Sequence, residues 1–133
     1  MSRRSARKNA FFLLFQMDFS EAAEFEQVKE IFFAEKEEPV EEGDKAFILS
    51  EVEGTREHLA EIDALIEQSA KGWDPERMNK VDLAILRLAI YEMKRGETPV
   101  GVAINEAVEL AKKFSSDEAP AFINGVLGKA AQI

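Results

Sequence analysis

Apolar residues recur every three or four positions along almost the whole chain, a period that fits helices and excludes strands. The clearest run is Val100, Ala103, Ile104, Ala107, Leu110, Ala111 and Phe114, which trace one face of a helix. Residues 3–19 carry two stripes, Ala10, Leu14 and Met17 on one and Phe11, Phe15 and Phe19 on the other. A helix apolar over that much of its circumference is expected to pack between other helices. No segment alternates with period two for long. The pattern predicts an all-α chain of about seven helices, and 133 residues suit a single domain, 1–133.

Local signals place the boundaries. A second helix is expected near 22–35, with Phe25, Val28 and Phe32 at helical spacing, before a charged loop punctuated by Pro39 and Gly43. The pattern resumes from Asp44 to about Lys71 with Leu59, Ile62 and Ile66 inward, and Gly54 predicts a bend or a break in it. Asp74-Pro75 reads as an N-cap followed by a first helical position, opening a short helix that leads into a stronger one over Val81–Lys94. Gly96 sits where a C-terminal cap belongs, and Thr98-Pro99 repeats the start signal. Ser115 to Pro120 breaks the pattern before a last helix with Phe122, Ile123, Val126, Leu127 and Ala130 inward. Ten Phe against one Tyr and one Trp place most aromatic area in the core, and His58 and Trp73 read as packing residues.

Catalytic hardware is sparse. With no Cys and one His, thiolate metal sites, disulfides, cysteine nucleophiles and most histidine chemistry are excluded. The acidic run from Glu35 to Asp44 lacks the alternation and the glycine of a calcium loop, so it reads as solvated. Glu92, Glu106 and Glu109 have no nucleophile spaced to use them and read as exposed helix carboxylates. The apolar run Ala10–Phe15, six residues, is shorter than the core of a secretory leader, so the segment stays in the fold. No apolar run approaches a membrane span. An enzyme is not expected, and neither is a cofactor.

Charge is where the chain departs from a bland helical domain. The net −9 divides into +3 over residues 1–20, −11 over 21–63 and −1 over 64–133. Arg3, Arg4, Arg7 and Lys8 make the basic end, and at helical spacing Arg3 pairs in face with Arg7, as Arg4 does with Lys8. Cations in a first turn oppose the helix dipole, a local cost of a few tenths of a kcal/mol each. Phosphate groups would compensate, because arginine forks and free helix N–H groups both bind them. The competing reading is a solubilising arm.

Three segments carry a resemblance. Val81 to Met93 (VDLAILRLAIYEM), Pro99 to Phe114 (PVGVAINEAVELAKKF) and Phe122 to Leu127 (FINGVL) are similar to signatures of the NusB family of transcription antitermination factors, and Arg3-Arg4-Ser5-Ala6-Arg7 resembles its arginine-rich motif. The resemblance implies two perpendicular helical bundles. It also implies binding of a boxA-type single-stranded RNA jointly with a NusE-type small-subunit ribosomal protein, acting on the transcribing RNA polymerase complex only indirectly. It places RNA contacts at Arg3, Arg4, Arg7, Asp82 and Arg87. Phe15 stands where the family often has tyrosine, and can stack on a base without the hydroxyl. Leu83 stands where relatives can have a basic residue, and Ser115 where glycine is frequent. Asp117 and Glu118, opening the last helix, fall on the family's partner-facing side, where N-capping is their alternative role. A cytoplasmic location with no membrane contact is implied, and a homodimer of the free chain is compatible with it. The competing function is a helical protein-interaction adaptor without direct RNA contact. In that case Arg87 would serve a salt bridge, to Asp82 or Glu92.

Overall fold

Asn79 starts the helix on which the rest is built. Its side-chain oxygen accepts hydrogen bonds from the backbone N–H of Val81 at 2.8 Å and of Asp82 at 3.4 Å, satisfying donors that a helix start leaves free. In this computed structural model, which describes residues 1–133, seven α-helices follow one another: α1 Arg3–Met17, α2 Phe25–Ala34, α3 Glu42–Glu57, α4 Leu59–Ser69, α5 Lys80–Arg95, α6 Val100–Phe114 and α7 Ala119–Ala130. A single 3-10 turn, Ala22–Glu24, precedes α2. None of these helices is long and apolar enough to cross a membrane.

The helices form two bundles that share a wall. α1 packs on α2 and α3, while α4, α6 and α7 gather around α5, which also contacts α1 and α3. That double duty explains the composition of α5. Leu83, Ala84, Ile85, Leu86, Leu88, Ala89, Ile90 and Met93 are all buried, so the helix is apolar on nearly every side. Its ends are conventional: Gly96 takes φ +80, the left-handed cap that glycine adopts without strain, and Lys94 and Arg95 fall in the last turn. α1 runs antiparallel to it, because Arg7 pairs with Glu92 whereas Asp18 pairs with Arg87 and Lys80.

Four expectations change. Gly54 lies inside α3 and does not break it; the break comes at His58, whose backbone leaves helical geometry between α3 and α4. The reason for a glycine is proximity, since a Cβ there would sit 2.1 Å from the Tyr91 ring. Asp74-Pro75 opens no helix: the Asp74 carboxylate accepts from the N–H of Glu76 at 2.9 Å, a turn that leads straight to Asn79. His58 and Trp73 lie at the surface and not in the core. Among the phenylalanines only Phe11 and Phe25 are fully buried, most others lie half-buried against the core, and Phe19 stands 65% exposed.

Candidate nucleic-acid interface

Ser2 caps α1 by accepting from the N–H of Ser5 at 3.0 Å, and that start brings Arg3, Arg4 and Arg7 into the first two turns with no acidic residue in the first. The dipole opposes these cations, and the chain supplies part of the compensation itself. The Arg3 guanidinium lies 4.0 Å from the Phe47 ring centre, a cation–π arrangement. Arg4 Nε donates to Glu106 Oε2 at 3.0 Å. Arg7 Nε donates to both oxygens of Glu92, at 2.8 and 3.2 Å.

Glu92 corrects the expectation of an exposed helix carboxylate, for it is 2% exposed. Glu51, across from it on α3, is completely buried, and neither of its oxygens has a hydrogen-bonding partner. Burial, and behind it the negative charge of Glu92, push the Glu51 carboxyl up to about 8. Arg95 partly offsets this, its Nη1 lying 3.7 Å from Glu51 Oε1. Two carboxyl groups thus face Arg7 and Arg95 inside the first bundle, and Arg7 is tied to that cluster through Nε.

Between α1 and α6 runs a groove of about 440 Å³ into which Arg4, Arg7 and Lys8 face from one side and Lys112 and Lys113 from the other, with Glu106 and Glu109 between them. The α6 lysines were not singled out from sequence. They sit in the last turn of α6, where the helix dipole alone accounts for them, and only packing places them beside α1. Along α1 itself, Arg4, Lys8, Phe12 and Phe15 follow a period close to 3.6 and share one face, and Phe19, in the turn just beyond the helix, packs against Phe15. All five are exposed or half-buried, and at about 1.5 Å per residue the helical part of this strip, from Arg4 to Phe15, is about 17 Å long. It passes from cations to aromatic rings: Phe12 meets Phe114 edge-on with centroids 5.2 Å apart, and Phe15 meets Phe19 at 5.0 Å.

Asp82 and Arg87 sit toward the aromatic end and face inward. Asp82 is 9% exposed and accepts from the Ser115 hydroxyl at 2.5 Å, a bond that a glycine at 115 could not make. Arg87 is 6% exposed. It donates from Nε and Nη2 to Asp63 and from Nη1 to Asp18, so its bridge partners are not Asp82 or Glu92. To reach a bound strand Arg87 would have to leave both carboxylates. Asp117 and Glu118 are exposed, and Glu118, at the N-cap position of α7, makes no capping bond with its side chain. One turn further on, Phe122 packs against the half-exposed Trp73 ring at 5.4 Å.

Fold and surface together define a two-bundle helical domain with a cation-to-aromatic strip on its first helix. The chain belongs to the NusB family, whose model matches residues 4–132. It is 46% identical over 130 residues to the transcription antitermination protein NusB of Agathobacter rectalis, covering 97% of this chain and 98% of that one. Among solved structures it is similar to T. maritima NusB, with a TM-score of 0.85 and 32% identity over 99% of this chain and 92% of that chain. It is similar as well to a chain in a crystal structure of antitermination factors NusB and NusE in complex with dsRNA, with a TM-score of 0.81 and 26% identity over 98% of this chain and 96% of that one.

Proposed function

We propose that this protein is an RNA-binding antitermination factor and not an enzyme. It binds a boxA-type single-stranded RNA along α1 and works jointly with a NusE-type small-subunit ribosomal protein, notably in ribosomal RNA transcription. The strip Arg4–Lys8–Phe12–Phe15–Phe19 carries the reading. Single strands offer phosphates to cations and unstacked bases to aromatic faces, and this helix presents both in sequence. Arg3, Arg4 and Arg7 take phosphates, with Lys8, Lys112 and Lys113 beside them, and Phe15 stacks on a base. Asp82 and Arg87 lie behind the aromatic end, committed to Ser115 and to Asp18 and Asp63, and contribute to the stability of the fold there.

Charge argues for the second partner. A short basic arm on a chain of net charge −9 neutralises only a few phosphates, so tight binding needs a basic companion, which the acidic surface attracts. Asp117 and Glu118, uncommitted to capping and next to the Trp73–Phe122 pair, form the surface for it.

The test is a titration of labelled boxA-type RNA at several salt concentrations, with and without the ribosomal protein. Replacing Arg3, Arg4 and Arg7 together by Ala should weaken binding and flatten the salt dependence by about 0.7 log units per lost phosphate contact. The same RNA annealed to its complement should bind less well, because paired bases cannot stack on the rings. An unchanged salt slope removes the phosphate contacts. The internal pairs Arg4–Glu106 and Arg7–Glu92 would then favour an adaptor that touches protein only.

A further inference from the structure

Within the α1–α6 groove the two paired arginines are held differently. Arg7 is 13% exposed and its partner Glu92 is 2% exposed, so withdrawing the cation would strand a buried carboxylate, a costly event. Arg4 is 63% exposed, whereas Glu106 is 17% exposed, seated against its helix. Their contact uses one edge of the guanidinium: Nε lies 3.0 and 3.4 Å from the two oxygens, and Nη2 lies 3.4 Å from Oε1. Two nitrogens facing two oxygens is the arrangement in which arginine also grips a phosphate. The fork is therefore already engaged as it would be by a backbone phosphate, with a carboxylate in its place. Lys8 and Lys113, in the same groove, have no carboxylate partner.

We infer that Glu106 is an internal competitor for the RNA backbone: its carboxylate occupies the Arg4 fork in the free protein, and a bound strand must displace it. This rests on the proposed RNA reading of the groove. The contact is fit to be displaced. Arg4 lies mostly in solvent, so the pair is weakly held on its side, and Glu106, unlike the buried Glu92, keeps some access to water once the arginine turns away. Lys8 and Lys113 attract any polyanion without disturbing the pair. A strand seated on the aromatic rings brings a phosphate to Arg4 and exchanges it for the carboxylate. Glu106 thereby lowers the affinity of seated strands and keeps the basic end from binding as strongly as its cation count allows.

The experiment is a double-mutant cycle in RNA binding. Labelled boxA-type RNA is titrated into wild type, Glu106→Gln, Arg4→Ala and the double variant. Glu67→Gln, an exposed change on α4 with the same effect on net charge, serves as the control. Glu106→Gln should tighten binding about two- to fivefold beyond the control, the scale of an exposed pair. That gain should vanish when Arg4 is already Ala, and thermal midpoints should stay close to wild type. If Glu106→Gln gains no more than the control, or gains equally without Arg4, the competitor role is wrong while the RNA reading stands. If wild type binds no RNA, both fall.

Discussion

Arg87 and Asp63 meet fork to fork, Nε to Oδ1 and Nη2 to Oδ2, both at 2.8 Å. The third donor, Nη1, reaches Asp18 at 2.9 Å, so one guanidinium ties the end of α1 to α4 across α5. Arg87→Ala would leave Asp63 without its cation and Asp18 with only the longer contact to Lys80. The expected loss is about 3 kcal/mol of stability, read from urea unfolding. RNA affinity measured well below the unfolding midpoint should follow wild type; a loss of binding without a loss of stability would return Arg87 to the RNA surface.

Gly54→Ala should show a change of sign. Alanine favours a helix over glycine by about 1 kcal/mol, but its Cβ would enter the Tyr91 ring. Overpacking of this kind costs about 1–3 kcal/mol, so the single variant should be less stable than wild type. In a Tyr91→Ala background the ring is gone, and the same substitution should stabilise. Thermal melts of the four proteins check both signs.

Stability should fall as pH rises across the range set by Glu51. Its folded carboxyl titrates at about 8, against about 4.3 for an unfolded glutamate. Between those values the folded state keeps a proton that the unfolded state has lost, so unfolding gains ground by up to about 1.4 kcal/mol per pH unit. Glu51→Gln should remove that slope and be the more stable protein above pH 8. Denaturation midpoints from pH 4 to 9 test it; parallel curves for the two proteins would refute the assignment.

Phe19→Ala separates packing from binding. The ring is 65% exposed and meets Phe15 edge-on, so folding should be little affected. Loss of one stacked base should weaken RNA binding by about 1–3 kcal/mol. Equal affinities would confine the strand to the basic end of the strip.

Reversing Asp117 and Glu118 to Lys should weaken association with the ribosomal protein and leave binary RNA binding equal or slightly stronger. Glu118 makes no capping bond, so the melting temperature should fall only slightly, by the dipole cost of cations at the start of α7. Pull-down and RNA titration of the same preparation distinguish the two effects.

What the sequence revealed tracks how local each cause is. Gly96 and Pro99 mark a helix end and a helix start through their own backbone geometry, and both boundaries fall there. Gly54 misleads because its cause, Tyr91, comes from another helix, and Asp74 misleads because an Asx turn and an N-cap use the same bond to a nearby N–H. The arginine-rich start was legible as charge, but Glu92 and Glu106 lie far along the chain and nothing in their own surroundings marks one as buried and the other as a groove partner. Lys112 and Lys113 join the strip only once α6 lies beside α1.

The shared wall formed by α5 has a consequence for how the molecule comes apart. Neither bundle can lose its structure while the other keeps an intact core, because the residues from Leu83 to Met93 seal both. Opening should therefore be all-or-none, with the amides of α5 exchanging last and at a rate set by global unfolding. A chain cut in the turn between α4 and α5 would divide one interior, and its two pieces should regain order only when mixed.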